Sequence, residues 1–306
     1  MTKAPLSPKN DFVFKLLFGE QTRLKLLKNF LQAVLDLPEA EYSHLVLSDT
    51  HLKKESPDDK LSILDVKIHT TTGKVIDVEI QVDSQADIWE RILFYTTRLT
   101  TEQLKTGSEY EIISKAITIF ILDWDLTKSD PAHYHHCFRL IDEKTGLRFP
   151  DLFEINTLEL PKLPGQPDGS SLNNWLRMFT AKTQEEFAMV AKSSPEIAEA
   201  VAVLMELSQD EPTRLLAEAR EKARRDEYSR RKLAVQEGLQ QGLQQGLQQG
   251  LQQGLQQGRQ QGRQEERFDV ARSLLREKDP VEKVAKVTGL SVAEVQALAQ
   301  EIEVNH

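Results

Sequence analysis

Three carboxylates and an amide, Asp65, Asp77, Glu79 and Gln81, lie within the stretch KLSILDVKIHTTTGKVIDVEIQV, residues 60–82. Oxygen donors of this kind suit a hard divalent cation, because magnesium takes one or two carboxylates and keeps several of its waters. Whether the donors meet depends on the backbone that carries them. Residues 61–69 and 74–82 are rich in Ile, Val and Leu and are separated by Thr-Thr-Gly, so the stretch reads as two β-strands joined by a turn. Strand side chains two apart point the same way, which puts Asp65 with Lys67 on one side and Val66 with Ile68 on the other. Asp77, Glu79 and Gln81 line one side of the second strand, opposite Val78, Ile80 and Val82. With both apolar sides on one layer, Asp65 and the Asp77/Glu79/Gln81 row share the opposite face. Carboxylates gathered this closely repel one another and cost stability unless a cation or protons offset them. A wet, charged face of an antiparallel hairpin has the same pattern, and the hairpin alone does not decide between the two.

The chain has 306 residues, 39% of them hydrophobic, enough for a proper core in one large domain or two. Its one cysteine, Cys137, excludes an internal disulfide framework. No apolar segment near Met1 resembles a signal peptide, and the longest apolar run, around AITIFIL at 116–122, is far too short to cross a bilayer. A reducing, cytoplasmic setting without membrane contact is expected. The net charge of −9 gives no global pull toward nucleic acid, so such contact has to come from local basic patches.

Before the hairpin, residues 8–35 place Phe14, Leu17, Phe18, Leu24, Leu27, Phe30, Leu31 and Val34 at helical spacings, predicting one or two amphipathic helices broken near Gly19. Tyr42 to Leu47 alternates as a short first strand. After the hairpin, residues 86–104 set Ile88, Ile92, Tyr95 and Leu99 on one helical face. Residues 116–122, AITIFIL, are apolar apart from Thr118 and read as a buried strand.

The order is thus helix, strand, strand, strand, helix, strand. The segments NDFVFKLLFGE, LDVKI, IDVEIQ, WERILFYTTRLTTEQLKTGSEY and TLELPKL, in that order, resemble the recombination-promoting nuclease (Rpn) family, also described as PD-(D/E)xK transposase-like proteins. The resemblance spans residues 9–163. It implies an α/β fold with a restriction-endonuclease-like core, αβββαβ, in which a mixed sheet is flanked by helices, here followed by a long helical C-terminal tail. Its motifs assign catalysis to Asp65, Glu79 and Gln81, and a Mg2+ or Mn2+ ion to Asp65 and Glu79. Gln81 stands where the wider superfamily has lysine; an amide orients by hydrogen bonds and supplies no charge. Lys67, on the face of Asp65, is a substitute for that lysine. Asp11, Lys15, Arg91, Tyr95 and Gln103 are supporting or DNA-phosphate candidates, with packing or a helix surface as the alternative for each, and Asp77 is a supporting candidate as a ligand through water, with a strand-end charge as its alternative. The implied activity is metal-dependent endonucleolytic hydrolysis of DNA phosphodiester bonds, promoting recombination or transposition. The alternative is an inactive nuclease-fold protein that binds DNA or assembles oligomers.

The remainder of the chain divides by composition. Residues 1–163 form the nuclease-like domain, ending in a hairpin around Lys144-Thr145-Gly146. His133, His135 and Cys137 in its first strand lack the further ligands that a structural zinc needs. Residues 164–211 begin with the linker PGQPDGSS and continue as a helical extension that packs on the core through Trp175, Phe179, Phe187 and Val190. Residues 212–237 are a charged helix, 238–264 a Gly-Leu-Gln-Gln repeat, and 265–306 a small helix-turn-helix-like module. A four-residue period drifts about 40° per repeat around a 3.6-residue helix, so Leu239 through Leu255 wind about the axis and offer no fixed seam. The last helix, from Val292, carries no Arg or Lys, which favours protein interaction over DNA reading. The expected partners are DNA and further copies of the chain, assembled through the tail.

Overall fold

Asn10 opens the first helix: its side-chain oxygen accepts from the N–H groups of Phe12 and Val13 at 3.2 and 3.3 Å, satisfying donors a helix end leaves unpaired. The computed structural model describes residues 4–48, 65–84, 86–104, 107 and 109–304. Helix α1 spans Asp11–Phe18 and stops at Gly19, where an added Cβ would lie 2.8 Å from the carbonyl oxygen of Lys15. The chain turns and resumes as α2, Leu24–Val34.

The first strand is shorter than its alternation suggests. Only Val46–Leu47 pair as β1, while Glu39–Tyr42 form a 3-10 turn. Two buried anchors hold that turn. The Tyr42 hydroxyl donates to the Leu35 carbonyl at 3.2 Å, and the Glu41 carboxylate accepts from Thr70 at 2.7 Å, from Thr72 and from Lys74.

Strand β2 is Val66–His69 and β3 is Val75–Gln81, antiparallel, with Lys67 opposite Asp77 and Val66 opposite Val78. Residues 61–64 of the predicted first strand lie outside the described residues. Helix α3, Ile88–Thr101, then returns the chain to β4, Ala116–Leu122, which runs parallel to β3. The hairpin near Lys144 is formed by β5, His135–Phe138, and β6, Phe153–Glu159; β6 inserts beside β4, leaving β5 at the edge. The six-stranded order is β1-β2-β3-β4-β6-β5.

Both faces of the central strands are covered. On one, Ile68, Ile76, Val78, Ile80, Ile117, Ile119 and Ile121 join a core with α1, α2 and three later helices: α4, Ser171–Thr180, α5, Gln184–Val190, and α6, Pro195–Gln209. Phe14, Phe18, Phe30, Trp175 and Phe179 meet there at ring-centroid distances of 5.0–6.0 Å, in tilted and edge-on geometries that aromatic quadrupoles favour. On the other face, Val75, Ala116, Phe120 and Leu122 pack against Ile88, Ile92, Tyr95 and Leu99 of α3. Burial on two sides explains why β4 lacks any polar alternation.

Helix α7 is continuous over Glu211–Arg276, merging the charged helix, the repeat and the start of the last module. Residues 1–228 form one compact unit and 229–306 another. In the second unit the end of α7 packs with α8, Val281–Thr288, and α9, Val292–Val304, through Ala271, Val284, Leu290, Val295 and Leu298. The repeat leucines are 56–75% exposed. Among the described residues, no helix is long and apolar enough to cross a membrane.

Candidate active site

The β2–β3 register places the backbones of Asp65 and Glu79 opposite one another, and their groups interlock. The Asp65 N–H donates to Glu79 Oε1 at 3.0 Å, and the Ile80 N–H donates to Asp65 Oδ2 at 3.0 Å. Each carboxylate is therefore aimed by a backbone N–H of the opposite strand segment. The second Asp65 oxygen, Oδ1, lies 3.3 Å from Lys15 Nζ on α1, and the Gln81 amide nitrogen donates to Glu79 Oε2 at 3.4 Å.

The face carrying these groups is not wet, since α3 packs over it. Asp77 and Glu79 are fully buried, and Asp65 nearly so. Burial raises the pKa of Asp65, offset in part by the Ile80 N–H and by Lys15. It raises Glu79 and Asp77 well above the carboxylate range, and the neighbouring carboxylates add to the rise. Asp77 sits in mid-strand, between Lys67 of β2 and Thr118 of β4 in register, and neither of its side-chain oxygens has a hydrogen-bond partner. Lys67 instead pairs with Glu102, just past α3, at 2.9 Å with both side chains 12% exposed.

Of the other candidates, Asp11 is the first residue of α1 and pairs with Arg220 at 3.3 Å. Arg91 lies over the Tyr95 ring, 5.4 Å from its centroid, and donates to the Tyr95 hydroxyl at 3.2 Å. Gln103 is committed to backbone: its amide nitrogen donates to Ser114 O at 3.1 Å and its oxygen accepts from Ser114 N at 2.8 Å, fixing the approach to β4. His133 pairs with Asp130, and His135 with Asn156.

Sequence reasoning missed Glu102, Asp83 and the role of the charged helix. Arg224 of α7 pairs with both Asp83, just beyond Gln81, and Glu221, while Arg220 holds Asp11. The start of α7 is thus fastened to the two segments that carry Lys15 and Gln81. Only the excess of arginine in residues 214–231 hinted at this, since pairs more than a hundred residues apart leave no periodic trace.

Among the described residues, no three His, Cys, Asp or Glu side chains form a ready-made metal cage. The donor set nonetheless fits a hard cation: Asp65 and Glu79 offer carboxylate oxygens, Gln81 an amide oxygen, and the buried Asp77, whose oxygens accept no hydrogen bond, adds a third carboxyl beside them. Magnesium needs no more than two protein carboxylates, the rest of its shell being water.

Comparison with protein families adds an independent line. The family model described as PD-(D/E)XK nuclease family transposase matches residues 8–234, from the turn before α1 through the anchored start of α7. Comparisons with curated proteins and with solved structures return no match. On the family match and the mixed, helix-flanked sheet, the chain belongs to the PD-(D/E)XK nuclease family transposases.

Proposed function

We propose that the chain is a metal-dependent DNA endonuclease whose site is Asp65, Glu79 and Gln81, and whose cuts serve recombination or transposition. One observation carries the reading: two buried carboxylates face each other across β2–β3, each aimed by a backbone N–H, with a third buried carboxyl, without a hydrogen-bond partner, beside them. A magnesium or manganese ion held by Asp65 and Glu79 supplies positive charge at a phosphate oxygen and an acidified water. The protein's part is preorganisation. Because the Ile80 and Asp65 amides fix the two carboxylates in advance, little reorganisation is left for the moment of reaction. Gln81 orients by hydrogen bonding, and Lys15, 34% exposed beside Asp65, presents a cation to the DNA phosphate. Lys67, held by Glu102, tempers the charge on Asp77. Arg91 and Tyr95 act as one unit on α3, and Gln103 as a brace.

The protein works in the cytoplasm, and the helical tail associates with further copies of the chain through close packing at its repeat glycines. A second reading, a nuclease fold that binds DNA without cutting it, is favoured by one observation, the neutral Gln81 in the lysine position. Incubating supercoiled and linear DNA with the purified chain in magnesium, manganese or EDTA, beside Asp65→Ala and Glu79→Ala, separates the two. Metal-dependent nicking lost in both variants supports the nuclease; no cutting with any metal, alongside intact DNA binding, supports the second reading.

A further inference from the structure

Among the described residues, strand β5 is hydrogen-bonded to β6 on one side only, which leaves its other side as a sheet edge. Beyond it, residues 139–152 extend as an arm, closed by the Phe149 N–H donating to Leu140 O at 3.1 Å and by the Ile141–Arg148 bridge. Phe138 faces the same side as Ile155, the α3 side of the sheet, and meets Trp89 of α3 edge-on at 5.7 Å. This contact joins two apolar strips: Trp89, Leu93 and Phe94 on the outer side of α3, and Phe138, Leu140, Leu147 and Phe149 on the edge and arm. All seven are 37–72% exposed. Side chains of this size carry roughly 200 Å² each, so they leave on the order of 700 Å² of apolar surface in water. The largest patch on an ordinary monomer is about 300–600 Å², whereas one side of a stable protein interface is about 800 Å².

We infer that this face is a two-fold dimer interface, with β5 of one copy pairing antiparallel to β5 of a second copy of this chain. Three features select a second copy. The exposed area matches what one half of a dimer interface needs. An antiparallel edge is self-complementary, since two-fold symmetry sets the strand against itself in opposite direction. The arm's charges are also balanced, residues 139–151 holding three acidic and three basic side chains, so like arms meet without net repulsion. Pairing closes the open edge, which otherwise invites aggregation. The interface lies in the residue 1–228 unit and is separate from any association through the tail.

The full chain carries its own probe, because its single cysteine, Cys137, is exposed and lies in β5. Paired edges bring the two β5 strands to the ladder spacing of about 4.8 Å. A short bismaleimide then joins Cys137 to Cys137 and gives a covalent dimer on a denaturing gel. Leu140→Asp with Phe149→Asp, both on the exposed arm, should cut the yield at least tenfold while leaving the melting temperature unchanged. Hydrogen exchange at residues 135–149 should slow as wild-type concentration rises, and should cease to do so in the double variant. A thiol that labels fully with a monofunctional maleimide yet gives no crosslink overturns the inference. So does a crosslink that the double variant leaves intact, or exchange at 135–149 that is independent of concentration; association through the tail alone gives these results.

Discussion

Without a divalent cation, the melting temperature should fall as pH rises, and Asp77 should account for much of the fall. The ordinary carboxylate values are 3.8 for Asp and 4.5 for Glu, and burial lifts Asp65, Asp77 and Glu79 above them. A folded-state pKa above the unfolded value means that the native protein binds more protons than the unfolded chain. Its contribution to stability is complete below the unfolded pKa and is lost as pH climbs through the folded one. Each proton so retained gives a slope of about 1.4 kcal/mol per pH unit. For a unit of this size 1 kcal/mol moves the midpoint by about 2–4 °C, so the expected fall is about 3–5 °C per pH unit for each proton. Asp77→Asn removes the titratable group whose oxygens have no hydrogen-bond partner, so its slope should be shallower by about one proton, and it should be more stable than wild type at pH 8. Magnesium should reverse the trend, stabilising by about 2.7 kcal/mol at a hundredfold excess over Kd, and most strongly at high pH. Calorimetric melts from pH 5 to 8 in EDTA, repeated with magnesium, measure this directly. A wild-type slope in Asp77→Asn would refute the placement of a native proton at that residue.

Three further predictions concern the scaffold. Burial pushes the Glu41 carboxyl up, but its bonds from Lys74, Thr70 and Thr72 outweigh this and bring it down to about 2. Glu41→Gln should therefore cost about 1–3 kcal/mol at pH 7 in urea unfolding, with the deficit shrinking as pH falls from 4.5 toward 2. Phe18→Ala empties the centre of the aromatic cluster and should cost about 3–5 kcal/mol by the same measurement, whereas a loss below 1 kcal/mol would mean that the cluster is loosely packed. Gly246→Ala with Gly250→Ala, where an added Cβ meets nothing within 4 Å, should favour the α7 helix by about 1 kcal/mol per site and raise the circular dichroism signal at 222 nm.

Local patterns carried much of the fold. The apolar run of β4, the break at Gly19 and the faces of the hairpin all followed from spacing, and the order of elements pointed to the family. Covering by distant elements was not legible. Alternation put Asp77 and Glu79 on a face opposite the apolar side, but only α3, folding back over the sheet, makes that face dry. The same limit hid the strand that is missing at Tyr42, where anchors from Glu41 to the β2–β3 turn override a short alternating pattern. It also hid the pairing of Arg220 and Arg224 with Asp11 and Asp83, which turns an apparently solvated helix into a fixture of the nuclease unit. Motif and parity named Asp65, Glu79, Gln81 and Lys15 as candidates; the hydrogen bonds between the first three and the ion pair of Lys15 with Asp65 came only with the fold.

Manganese binding, followed by electron paramagnetic resonance in wild type, Asp65→Asn and Glu79→Gln, reaches the central claim most directly. Both substitutions keep the size of the side chain and remove one carboxylate. A cation held by Asp65 and Glu79 predicts one tight manganese per chain, weakened in each variant by more than the roughly 10–100-fold that outer-shell changes cost, with DNA cutting lost in parallel. Equal manganese affinity in all three proteins, or cutting that persists in EDTA, would contradict it.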